Sequence, residues 1–197
     1  MSQPSSDSLQ KWVNLPNILT VFRILLIPLL VVLLLDPGPQ SSLLAALTFF
    51  AASISDFFDG YLARRWGIST TFGTVMDPLA DKFIVAAALI MLAGMARVPA
   101  WMVAVIIGRE LAVTALRAVA LGQGVVVAAE ELGKYKTVFQ VLAVHGLLLH
   151  YPFLGADWHS AGMYFLWIAL VVGLWSGVDY HVKVIRRFTG GGPLPAA

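Results

Sequence analysis

Four aspartates have the types and spacing to do chemistry together. Asp56 and Asp59 stand three residues apart, and Asp77 and Asp81 four apart. On a helix a three-residue step turns a side chain by about 60° and a four-residue step by about 40°, so each pair shares one face. Gly60 follows Asp56 by four, Ala63 follows Asp59 by four and Gly73 precedes Asp77 by four, so each acidic stripe continues onto small residues that leave room for a ligand. Four carboxylates gathered at the end of apolar segments repel one another and are costly to desolvate unless something cationic joins them. Two divalent ions would supply +4 against −4, and an all-oxygen donor set favours Mg²⁺ or Mn²⁺. Such a pair could grip a pyrophosphate, with remaining charge matched by Arg64. The structural alternative is ion pairing with Arg64, Arg65 and Lys82, or acids facing water in a loop. Two pairs at matching depth, each running onto small residues, are hard to explain by packing alone.

The elements that must position these acids follow from composition. Of 197 residues, 59% are hydrophobic and 12% charged, about half the charge of a soluble domain. That predicts a membrane protein with no separate soluble domain. Apolar runs between polar or Pro/Gly breaks predict six spans, near 17–35, 41–64, 74–94, 99–121, 133–151 and 160–185, in an all-α polytopic bundle. Residues 1–16 read as a polar segment with a short interfacial helix over 9–16, residues 17–188 as the catalytic domain, and 189–197 as a flexible tail. No cleavable signal is expected, because Met1 to Gln10 is Ser-rich and polar. The second span ends in the first acidic pair and the third begins with the second pair, which puts all four on one side.

Basic residues identify that side. Lys11, Arg64, Arg65, Lys134, Lys136, Lys183, Arg186 and Arg187 fall at one set of span ends, and Arg97 alone at the other. The positive-inside rule then places both termini and the acids on the cytoplasmic side. With a net charge of +2, the basic residues report topology rather than a nucleic-acid surface. The chain has no cysteine, which excludes disulfides, thiolate metal sites and thiol nucleophiles. His145, His150, His159 and His181 are too scattered for a zinc set and read as structural.

The fourth span carries Arg109, Glu110 and Arg117, and the fifth opens with Lys134 and Lys136. An arginine inside a span must face the bundle, a cavity or a partner acid. A bound phosphate is one possible partner; the alternative is that Arg109 pairs with Glu110 or an aspartate and the lysines mark the boundary. Clustered guanidinium and ammonium groups opposite the acids would suit an anionic acceptor.

Asp56 to Asp81 resembles the signature of the CDP-alcohol phosphotransferase family, D-x-x-D-G-x-x-A-R, eight residues, then G-x-x-x-D-x-x-x-D, matched at every fixed position. The resemblance implies that Asp56, Asp59, Asp77 and Asp81 surround two metal ions, with Asp81 also the general base on the acceptor hydroxyl. It implies that Gly60, Ala63, Arg64 and Gly73 surround the CDP group together with Asp56, Asp59 and Asp77, and that Asn17 and Thr20 line the nucleotide side. The metals would polarise the pyrophosphate, and CMP would leave without a covalent enzyme intermediate. The stretches Asn14 to Arg23, Gly108 to Leu111 and Gly133 to Thr137 look like family members that join CDP-diacylglycerol to glycerol 3-phosphate, with Arg109, Arg117, Lys134 and Lys136 binding the acceptor phosphate. A homodimer in a bacterial cytoplasmic membrane is also implied. The competing expectations are an inositol phosphate, phosphatidylglycerol or amino-alcohol acceptor, and, from another class, a cation transporter, which would want its acids spread along a path.

Overall fold

The computed structural model describes residues 15–36, 38–66, 71–124, 131–152 and 155–189, with backbone alone for 15–17, 57–66, 71–75, 77, 78 and 131. Among the described residues the regular elements are six helices and no strand: α1 (Leu15–Leu35), α2 (Pro39–Trp66), α3 (Thr71–Gly94), α4 (Ala100–Gly122), α5 (Glu131–Leu149) and α6 (Trp158–Thr189). All six expected helices are present, with ends displaced by a few residues. The interfacial helix and the C-terminal tail fall almost wholly outside the described residues, except that Leu15 and Pro16 open α1 and Thr189 closes α6.

Local chemistry explains the ends. Pro39 opens α2, where its missing N–H costs nothing, and the Ser42 N–H donates to the Gly38 carbonyl at 2.9 Å. Pro99 stays extended at φ −60° and ψ 127° and caps α4, which therefore begins one residue later than the apolar run. Before α6, Asp157 accepts the Ser160 N–H at 3.1 Å and the Ser160 hydroxyl at 2.6 Å, an N-cap contact. Those bonds hold the Asp157 carboxyl below the usual carboxylate range. At its far end α6 outruns the expected span, with Arg186 and Arg187 in a last turn where exposed carbonyls favour positive charge.

The helices share one core, to which Leu30, Phe49, Leu89, Met102, Leu147 and Leu166 contribute one almost fully buried side chain from each. A second cluster, Val113, Ala120, Tyr180 and Val184, joins the other ends of α4 and α6. Helix α1 lies along both α2 and α3, which touch each other less, and α5 lies along α6 most extensively. That last contact is backbone to backbone. A Cβ on Gly162 would fall 2.7 Å from the Leu147 nitrogen, and one on Gly146 would fall 2.8 Å from the Trp158 carbonyl oxygen.

The outer surface is apolar: Trp175 is 72% exposed and Leu35 69%. Among the described residues two helices, through Ile18–Leu35 and Trp158–Thr189, are long and apolar enough to cross a membrane. Helices α2 to α5 carry the acids and cations singled out as site residues in the sequence.

At the end remote from the aspartates, Arg97 is buried. Its guanidinium donates to the Ser42 hydroxyl at 2.9 Å and the Leu148 carbonyl at 3.3 Å, and lies 5.5 Å from the Tyr151 ring centroid. Burial pushes it down from its ordinary pKa, opposed by Tyr151. One side chain thus ties α2, the α3–α4 turn and α5 together. The histidines have packing and hydrogen-bonding partners, His145 lying edge-on to Phe49 and Phe50 of α2. His145 and His181 each hydrogen-bond a carbonyl four residues back, and the Nδ1 atoms of His150 and His159 meet at 3.1 Å.

Candidate functional site

The C-terminal part of α2 carries Asp56, Asp59, Gly60, Ala63 and Arg64, and the N-terminal part of α3 carries Gly73, Asp77 and Asp81. Both segments are continuous helix. Of these residues, Asp56 and Asp81 have described side chains; those of Asp59, Ala63, Arg64 and Asp77, and of Asn17 on α1, lie outside the description. Asp56 receives the Arg23 guanidinium of α1, Nη1 to Oδ1 at 3.0 Å, with the Arg23 side chain 1% and the Asp56 side chain 48% exposed. Thr20, buried one turn earlier on α1, occupies the same end of that helix.

Asp81 feels the charges of Asp56, Arg23, Lys136 and Lys82, so α1, α2, α3 and α5 converge on it. Two carboxylates from different helices in one field form the donor chemistry a divalent cation requires. Among the described residues no three His, Asp or Glu groups gather as a metal cluster, and the side chains of Asp59 and Asp77 are not among them. The oxygen donors present at Asp56 and Asp81 fit a hard cation.

A second charged group lies beyond Lys136. Glu110 Oε1 accepts from Arg109 Nη1 at 2.9 Å and from Lys136 Nζ. Arg109 also donates through Nε to the Gly173 carbonyl at 2.9 Å and through Nη2 to the Ser176 hydroxyl at 2.6 Å. The aliphatic stems lie against glycines of α6: a Cβ on Gly173 would stand 3.3 Å from Lys136 Cγ, and one on Gly177 3.3 Å from Arg109 Cγ. A narrow cleft between α4, α5 and α6 has Arg109, Glu110, Lys136 and Gln140 on its wall. Thus the pairing of Arg109 with Glu110, one of the two readings left open by the sequence, is present. Arg117 stands apart, 5.6 Å from the Tyr180 ring centroid, and Lys134 is exposed.

Three participants were not singled out for the site from the sequence. Arg23 carried a usable signal, a lone charge inside an apolar run. Ser176 and Gln140 carried none, because an uncharged polar residue in a helix does not reveal which distant helix it meets.

Carboxylates and buried cations at one end of a helical bundle suit a transferase acting on anionic, diphosphate-bearing substrates. Residues 13–175 match the family model for CDP-alcohol phosphatidyltransferase, and the chain belongs to that family. Its similar curated relatives include the CDP-diacylglycerol–glycerol-3-phosphate 3-phosphatidyltransferase of Bacillus subtilis (strain 168), 45% identical over 86% of this chain and 94% of the relative. Proteins of the same name from Salmonella choleraesuis (strain SC-B67) and Escherichia coli (strain K12) are 40% and 39% identical, each over 85% of this chain and 92% of the relative.

Proposed function

We propose that the chain is a phosphatidylglycerophosphate synthase, moving the phosphatidyl group of CDP-diacylglycerol onto sn-glycerol 3-phosphate with release of CMP, in glycerophospholipid biosynthesis. The observation that carries this reading is the grouping of buried cations with carboxylates: Arg23 bonds Asp56, and Arg109 and Lys136 both bond Glu110 in the cleft between α4, α5 and α6, which matches an acceptor bearing a hydroxyl and a phosphate. The relatives' shared name supports the choice of substrates.

In this reading Asp56, Asp59, Asp77 and Asp81 hold two Mg²⁺ or Mn²⁺ ions. Bound there, the ions would polarise the pyrophosphate and offset charge on the departing nucleotide. Gly60, Ala63, Gly73 and Arg64, with Asn17 and Thr20 from α1, enclose the CDP group. Asp81 takes the proton of the acceptor hydroxyl. The acceptor oxygen bonds to the lipid-attached phosphorus as the bond from that phosphorus to the bridging oxygen breaks, and CMP carries that oxygen away. Lys136, linked to Arg109 through Glu110, supplies the charge that draws the acceptor phosphate, and Arg117 and Lys134 add positive charge from further off.

We also infer the setting. All six helices cross the bilayer of a bacterial cytoplasmic membrane, with the apolar outer surface against lipid and the aspartates and both termini on the cytoplasmic side. Residues 17–188 form the catalytic domain between an N-terminal interfacial segment and a C-terminal tail, and the enzyme works as a homodimer.

The test is CMP release by purified protein in detergent with Mg²⁺ and CDP-diacylglycerol, comparing acceptors. Glycerol 3-phosphate is expected to support turnover, and inositol phosphate, phosphatidylglycerol and serine to support little. Faster turnover with any of the others overturns the acceptor assignment.

A further inference from the structure

Between Asp81 and α6 lie two cations and one anion. Arg109 and Lys136 both bond to the same oxygen of Glu110, so the trio carries a net single positive charge. The Lys136 side chain is 9% exposed and the Arg109 side chain 15%. Taken alone the trio favours an added anion at that depth, and Asp81 already acts on Lys136 from across the site.

The two cations are not equivalent. Arg109 has each of its three nitrogens engaged, by Gly173, Glu110 and Ser176, and is fixed to α6. Lys136 has Glu110 as its hydrogen-bonding acid and also acts on Asp81 across the site. A lysine carries three donors on a flexible stem, and without a fixed partner its ammonium would be drawn toward the aspartates. Glu110 opposes that draw.

The backbone of Glu110 is pinned as well. Its carbonyl accepts the Thr114 hydroxyl at 2.7 Å, and that same hydroxyl oxygen accepts Lys82 Nζ at 2.7 Å. The residue after Asp81 is therefore tethered to the turn of α4 that presents Glu110. One acid thus joins the turn carrying Asp81, the lysine of α5 and, through Arg109, the glycine face of α6.

We propose that Glu110 is a positioning residue of the acceptor site, holding Lys136 away from the aspartates and in place to receive the phosphate of the acceptor. Arg109 is then the brace that fixes Glu110 to α6. The inference rests on the proposed acceptor, glycerol 3-phosphate, and deepens it by assigning Lys136 the contact and Glu110 its placement.

The experiment is steady-state CMP release by the purified full chain, varying each substrate in turn, for native protein and for Glu110→Gln, Glu110→Asp, Lys136→Met and the Glu110→Gln/Lys136→Met pair. Glu110→Gln is expected to raise KM for glycerol 3-phosphate about tenfold, the scale of losing one charged hydrogen bond, and to leave KM for CDP-diacylglycerol within about twofold. Glu110→Asp keeps the charge and is expected to recover most of that loss. The pair is expected to be no worse than Lys136→Met alone, because the two residues act as one unit. An unchanged acceptor KM in Glu110→Gln, equal rises in both KM values, or additive losses in the pair overturn the inference. If native protein itself fails to use glycerol 3-phosphate, the proposed function fails first, and the two failures are told apart. Should Glu110→Gln not elute as a folded species, the pair compared with Lys136→Met decides: an acceptor KM no higher in the pair supports the placement, and a further rise overturns it.

Discussion

Asp56 and Asp81 have different partners, and that difference separates their contributions to stability and to chemistry. Asp56 is the carboxylate facing the buried Arg23, whereas Asp81 shares its field with another acid. Replacing Asp56 by Asn removes a counter-charge from a buried guanidinium; replacing Asp81 by Asn removes a desolvated charge and its repulsion from Asp56, set against its attraction to Arg23, Lys136 and Lys82. Both variants are expected to lose CMP release, yet only Asp56→Asn should unfold earlier. The cost should be about 1–2 kcal/mol, toward the low end for a bond to charge because that side chain is 48% exposed. Thermal unfolding in detergent checks this, and an Asp81→Asn midpoint well below that of Asp56→Asn would contradict it. At this scale the sequence was informative about acids and silent about their partners. Charge spacing marks Asp56, Asp59, Asp77 and Asp81 as a set, while the contact of Arg109 with Gly173 joins residues 64 positions apart. No local pattern encodes that.

Helices were legible because each apolar run is bounded by residues that stop helices or begin them, such as Gly38 and Pro39 before α2 and Pro99 before α4. Which helices touch was not legible, since apolar faces look alike to lipid and to protein. The α5–α6 contact shows what decides it: glycines at 146 and 162 let two backbones meet, and Gly173 and Gly177 then seat the stems of Lys136 and Arg109. Gly162→Ala places a methyl against the Leu147 nitrogen and the Ala143 carbonyl. It is expected to destabilise the fold by about 1–3 kcal/mol, the usual range for overpacking, and to raise the acceptor KM as Lys136 moves with α5. Thermal midpoint and KM measured on one preparation check it; native values of both would show that α5 and α6 need no such approach.

At the scale of the whole molecule, the two ends of the bundle do different work. Arg97 clamps three segments at one end, and the acids and cations gather at the other. Arg97→Met removes the clamp without touching the site. It is expected to cost about 1–3 kcal/mol, for leaving the Leu148 carbonyl and Ser42 hydroxyl without their donor, while CMP release per folded molecule stays within about twofold. A loss of activity larger than the loss of folded protein would mean the two ends are coupled. In the proposed function, α2 and α3 offer their carboxylates jointly to divalent ions. Mn²⁺ binding, followed by the loss of its free-ion electron paramagnetic resonance signal, tests that most directly, on native protein and on Asp56→Asn and Asp77→Asn in the same detergent. Native protein is expected to take up two ions per chain and each variant to lose that uptake. No uptake above the detergent blank, or uptake that survives both substitutions, would contradict the account.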